Sequence, residues 1–117
     1  MATETLAKSV GLTITPFDEV SRVDLTIDGA DEIDPFLRAI KGGGGALLRE
    51  KVVAAASDRV IAIVDSSKPV AQLGRFKLPV EALPFASAWV LRALTEMGAT
   101  PTRRVRADGT PFRSDQG

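Results

Sequence analysis

Four consecutive glycines, Gly42, Gly43, Gly44 and Gly45, stand between Ile40-Lys41 and a segment built from Ala, Leu, Arg, Glu, Lys and Val. Every glycine in such a run costs backbone entropy on folding and leaves an N–H that no side chain shields. Residues 46–56 read as a helix from their composition. Placed directly ahead of a helix, the glycines form an anion or oxyanion site from bare N–H groups and the helix's positive end. Lys41 adds a full positive charge at the entrance. The arrangement is neither the phosphate-binding P-loop, which carries its Lys after the glycines, nor the dinucleotide fingerprint. The competing reading is a flexible linker, but a linker is rarely pure glycine between an apolar residue and a strong helix.

The flanking segments say what this loop connects. Residues 23–27, Val-Asp-Leu-Thr-Ile, alternate apolar and polar side chains and are rich in β-branched residues, the signature of a strand. Residues 59–64 form a nearly continuous apolar run, which predicts a strand buried on both faces of a parallel sheet. Strand, glycine loop, helix and strand make a βαβ-like unit. The N-terminal residues 1–10 read as a helix closed by Gly11, and residues 12–15 as a short strand stopped by Pro16. Residues 78–84 are a proline-punctuated connector. After it, Phe85, Trp89, Leu91, Leu94 and Met97 make a helical stripe ended by Gly98, with Trp89 expected in the core. Residues 101–114 read as a hairpin about the turn at Ala107-Asp108-Gly109-Thr110. The predicted class is α/β: a Rossmann-like layered sheet over residues 1–77, with part of a second, small α/β domain over residues 78–117.

Composition removes several kinds of chemistry. Fifteen basic and fifteen acidic residues cancel, so no global field favours nucleic acid or an anionic membrane. Arg103, Arg104 and Arg106 cluster locally and are read as a solvated strand face. The chain has no Cys and no His. Thiolate chemistry is thereby excluded, and acid–base work falls to carboxylates, Lys or a hydroxyl. The longest apolar stretches are far short of a membrane span, and the first residues show no signal-peptide pattern, so the cytoplasm is the expected location.

Within the 117 residues, a few side chains stand where chemistry is possible. Asp28 and Asp31 lie just past the C-terminal end of the first strand, where ligands bind in open α/β sheets. They can accept hydrogen bonds from sugar hydroxyls while Gly29 admits a close backbone approach; an acidic turn that merely caps the next segment is the alternative. Glu50 lies one turn into the helix that the glycines open. A carboxylate there can take a proton from carbon while the loop N–H groups stabilise the oxyanion that results. On its own, a Glu on a helix is most often simply solvated. Lys68 follows the second long strand and is able to bind phosphate as a point charge.

Taken together, Asp28-Gly29-Ala30-Asp31-Glu32-Ile33-Asp34, the block from Lys41 through the four glycines to Arg49-Glu50-Lys51, and Asp65-Ser66-Ser67-Lys68 resemble type A ribose-5-phosphate isomerase. That family interconverts ribose 5-phosphate and ribulose 5-phosphate in the pentose phosphate pathway, without a metal or other cofactor. The resemblance implies Glu50 as the proton-transferring base and a cis-enediolate intermediate. It implies Asp28 and Asp31 as the acids that contact sugar hydroxyls and assist ring opening. Lys41 with Gly42, Gly43 and Gly44 surrounds the reacting oxygens, and Gly29 and Ala30 complete the substrate-binding set. Lys68 approaches the phosphate. Members are dimers or tetramers, about twice this length, with an N-terminal phosphate loop that has no counterpart here. The expectation is therefore a fragment of the family sequence, its phosphate site half built and its first strand missing. A non-catalytic remnant that binds sugar phosphate weakly is the alternative. Sugar-phosphate deaminases and coenzyme A transferases, of the wider fold group, would be expected to carry different catalytic constellations.

Overall fold

A computed structural model describes residues 2–117. Helix α1 (Ala2–Ser9) ends where Gly11 takes a left-handed φ of 81°, as its C-terminal glycine predicts. Residues 12–15 do not form the expected strand. Their backbone has no ladder partner among the described residues, and an extended segment without one is not a strand.

The centre is a parallel pair, β1 (Val23–Asp28) with β4 (Ser57–Ala62), in the register Leu25↔Arg59, Thr26↔Val60, Ile27↔Ile61 and Asp28↔Ala62. The Thr26 and Ser57 hydroxyls meet at 2.6 Å across it. Helix α2 (Leu48–Ala55) packs on both strands, which completes the expected βαβ unit. The sheet has two strands rather than several layers' worth. For that reason the expected burial of β4 on both faces fails: Val60 and Ile61 are exposed, and Ile63 just beyond them is 63% exposed.

Between β1 and α2 lies an antiparallel hairpin, β2 (Glu32–Ile33) with β3 (Ala39–Ile40), that periodicity did not foresee. Strands of two residues carry no readable alternation. Asp34 builds the turn instead. Its buried carboxylate accepts N–H bonds from Phe36 at 3.0 Å and Arg38 at 2.9 Å, and the Arg38 guanidinium closes on it at 2.6 Å. Burial alone would raise the Asp34 carboxyl, but these hydrogen bonds and the Arg38 charge hold it below the ordinary range. Glu32, 1% exposed, accepts the Gly74 N–H at 2.8 Å and the Phe76 N–H at 2.5 Å, tying residues 74–76 to the hairpin.

Helix α3 (Ser87–Glu96) follows a 3-10 turn and ends before Gly98, as its stripe predicts. Among the named elements it packs only on that turn, so Trp89 is 63% exposed rather than in the core. The hairpin expected over residues 101–114 is reduced to one bridge, Val105↔Pro111, with a Phe112 N–H to Arg104 carbonyl bond beside it. No helix among the described residues is long and apolar enough to cross a membrane.

Candidate active site

The hairpin register explains how distant residues meet. Glu32 pairs with Ile40, and the Asp31 N–H donates to the Ile40 carbonyl at 2.7 Å. The next residues outward, Asp31 and Lys41, therefore leave the hairpin side by side. Asp28 and Gly29 arrive at the same point from the C-terminal end of β1, and α2 brings Glu50 in its first turn. The result is a cleft of about 250 Å³ lined by the Asp28–Asp31 segment, Lys41, Gly42, Gly43, Gly44, Ala46 and Glu50.

Lys41 organises its charge. The ammonium lies 2.8 Å from Asp28 Oδ2 and 3.0 Å from Glu50 Oε2, and donates to the Gly29 carbonyl at 2.5 Å. Burial alone would pull this ammonium down. Its hydrogen bonds to Asp28 and Glu50, reinforced by their charges, more than offset that and hold it above the ordinary lysine range. These three side chains are 25%, 26% and 31% exposed, so water screens the triad less than it screens a surface pair. Asp31, also in the cleft lining, accepts the Gly43 N–H at its Oδ2 at 2.7 Å.

The glycine loop is a turn closed by the Gly45 N–H to Gly42 carbonyl bond at 2.9 Å. Gly44 lies at its centre, and its N–H reaches no acceptor among the described residues. Glu50 sits at the positive end of α2, where a carboxylate is favoured.

Lys68 stands apart. It ends the Asp65–Lys68 turn, where its N–H bonds the Asp65 carbonyl and its own carbonyl accepts from Ile33, and it is not among the residues that line the cleft. Conversely, Arg104, read from sequence as part of a solvated strand face, donates to the Gly43 carbonyl at 2.8 Å and lies over the Phe112 ring at 3.8 Å. The available signal was the hairpin about Ala107-Asp108-Gly109-Thr110, which sets Arg104 opposite Phe112. Ala46 also lines the cleft unforeseen.

Residues 1–117 match the family described as ribose 5-phosphate isomerase A (phosphoriboisomerase A). The chain is 60% identical over 116 residues to the ribose-5-phosphate isomerase A of Sphingopyxis alaskensis, covering 99% of this chain and 50% of the relative. With that of Chloroflexus aurantiacus it shares 58% over 116 residues, covering 98% and 48%. Among solved structures, the Neisseria gonorrhoeae ribose 5-phosphate isomerase A superposes with a TM-score of 0.89 at 41% identity, covering 97% of this chain and 49% of that one. A D-ribose-5-phosphate isomerase in complex with phospho-erythronic acid gives 0.87 at 33% identity, covering 97% and 51%. The chain thus spans about half the length of the relatives it matches. On the family match over residues 1–117 of this chain and these identities, it belongs to the ribose-5-phosphate isomerase A family.

Proposed function

We propose that this cleft performs the proton transfer of an aldose–ketose isomerase acting on ribose 5-phosphate and ribulose 5-phosphate. The observation that carries the reading is the sharing of one ammonium, Lys41, by Asp28 and Glu50 beside a glycine turn with a free N–H. In this reading Asp28 and Asp31 hold sugar hydroxyls and assist ring opening, and Gly29 and Ala30 admit the sugar close to the backbone. Glu50 removes the C2 proton of the open-chain aldose. The electron pair moves to the C1 oxygen, giving a cis-enediolate that Lys41 and the free Gly44 N–H of the glycine loop stabilise. Transfer of the hydroxyl proton from O2 to O1 and return of the carbon-bound proton to C1 leave the ketose. The phospho-erythronic acid bound by a 33%-identical relative is a phosphorylated hydroxy acid, which suits a cleft that recognises hydroxyls and negative oxygen.

In the same reading residues 1–77 form part of a Rossmann-like catalytic domain, residues 78–117 form part of a small α/β domain, Lys68 contacts phosphate, and the family setting is a cytoplasmic homo-oligomer. A second reading, weak sugar-phosphate binding without turnover, draws on one observation. Lys41 is the one cation lining the cleft among the described residues, and two carboxylates already occupy it. Conversion of ribose 5-phosphate to ribulose 5-phosphate by the purified chain decides between them. Turnover that falls about 10²–10⁴-fold in Glu50→Gln, with an unchanged melting profile, supports the isomerase. Full turnover in that variant removes Glu50 from the role of base, and none in the wild-type chain leaves the binding-only reading.

A further inference from the structure

The four glycines pose a problem that the motif alone does not solve. In the turn from Gly42 to Gly45, the peptide between Gly43 and Gly44 is the central one, and its rotation interconverts type I and type II geometry. Type II demands a positive φ at the third residue, which glycine adopts at no steric cost. Gly44 is nevertheless outside the left-handed region, whereas Gly42 and Gly45 are inside it at φ 95° and 91°. An all-glycine turn has no side chain to enforce that choice. A contact from outside can therefore bias it.

We propose that Arg104 is a positioning residue for the isomerase site, selecting the orientation of the Gly43–Gly44 peptide. Its Nη1 holds the Gly43 carbonyl at 2.8 Å. In a trans peptide the C=O and N–H point in opposite directions, so fixing the carbonyl on Arg104 fixes the Gly44 N–H on the other side. That N–H has no acceptor of its own, and Gly44 lines the cleft that contains Glu50 and Lys41. The guanidinium is itself steadied by its place over Phe112, whose ring fills the space that a Cβ on Gly45 would need. The Asp115 N–H to Gly45 carbonyl bond, at 2.9 Å, anchors the far end of the turn to the same segment. Residues 104–115 therefore clamp the loop from outside while Asp31 holds the Gly43 N–H from within. The inference rests on the proposed isomerase reading for its catalytic consequence, but its structural part is independent of it.

The test compares Arg104→Met with Arg104→Lys. The first keeps an apolar stem over Phe112 and loses every donor; the second restores an N–H donor and the charge. Three readouts are taken: the amide ¹H–¹⁵N signals of Gly43, Gly44 and Gly45, the affinity for phospho-erythronic acid, and kcat and KM for ribose 5-phosphate. Arg104→Met is expected to shift or broaden the glycine amides while leaving those of β1, β4 and α2 in place. It should weaken phospho-erythronic acid binding and lower kcat about tenfold or more, with a smaller change in KM. Arg104→Lys should fall between wild type and Arg104→Met. Unchanged glycine amides in Arg104→Met overturn the proposal, as does a moved loop with wild-type kcat and binding. If the wild-type chain shows no turnover, the isomerase reading fails on its own assay. The amide and binding readouts then still decide the role of Arg104.

Discussion

At Gly43 a single added carbon would meet Asp31 Oδ1 at 2.6 Å and the Phe76 ring at 2.7 Å. Neither can retreat freely, because Asp31 is bonded to the Gly43 N–H and Phe76 is tethered through its own N–H to buried Glu32. Gly43→Ala should therefore break the Asp31 contact and misplace the turn. The expected result is a stability loss of about 1–3 kcal/mol by overpacking and a fall in kcat/KM of about 10²-fold from misplacement. Parallel thermal melts and isomerase assays measure both, and wild-type turnover in Gly43→Ala contradicts the close fit. Lys41 supports a second prediction at this scale. Its folded value is raised, so while Asp28 and Glu50 are ionised its ion pairs stabilise the fold fully below the ordinary lysine value and are lost as pH rises through the folded one. The alkaline limb of a pH–rate profile, followed through the Lys41 contribution, should lie above about 10.4; a Lys41-dependent limb near pH 8 would contradict this. As candidates, Lys41 and Glu50 were legible because they flank the glycine run, and Asp28 because it ends a readable strand. Arg104 was not, because the carbonyl it holds is 61 residues away: the sequence offered the hairpin that carries Arg104 but not its docking against the glycine loop.

The elements show the same division between local and distant information. The β1 strand, α2 and the α1 and α3 helices follow from alternation, composition and their closing glycines, all of which act within a few residues. The 12–15 strand and the burial of β4 failed because each depends on a neighbouring strand, which no local pattern supplies. The β2–β3 hairpin escaped for the reverse reason: one buried carboxylate, Asp34, specifies it rather than any periodicity. That makes the hairpin sensitive to acid. The Asp34 carboxyl is lowered in the fold, so its contribution is complete above the unfolded value near 3.9 and decays as pH falls through the folded value. Carboxyl ¹³C titration should place Asp34 below the ordinary Asp range, with the Phe36 and Arg38 amide shifts moving at the same midpoint. Asp34→Asn should abolish that coupled step. Hairpin amides that stay fixed through the Asp34 titration would remove the carboxylate from its structural role. Because the hairpin also sets Asp31 beside Lys41, the same acid transition should open the cleft.

For the whole molecule, the decisive quantity is surface. The accessible area is 9170 Å² for a mass of 12.4 kDa, against about 6100 Å² for a typical folded monomer of that mass. The radius of gyration, 16.4 Å, likewise exceeds the roughly 13 Å of a compact domain of this length. The excess has a location: Leu25, Ile27 and Val60 on the parallel pair with Ile63 just after it, Leu6 on α1 with Val10 just after it, and Phe85, Trp89 and Met97 around α3 are all exposed, while Ile40 is the one buried apolar side chain among the described residues. At about 25 cal/mol per Å² of apolar surface, leaving such faces in water forgoes much of the stabilisation that offsets chain entropy. Exposed apolar faces of this extent also promote association. The 117-residue chain, studied alone, should therefore unfold in urea with a low m-value, since m follows the area exposed on unfolding. Its weight-average mass in sedimentation should rise above 12.4 kDa as concentration increases, with the unfolding midpoint rising in step. A strictly monomeric chain with a steep, concentration-independent transition would contradict both expectations. If association does occur, isomerase activity measured across the same concentrations tests whether the cleft needs these faces covered: the β1–β4 pair carries Asp28 at its end, so specific activity should climb with the associated fraction.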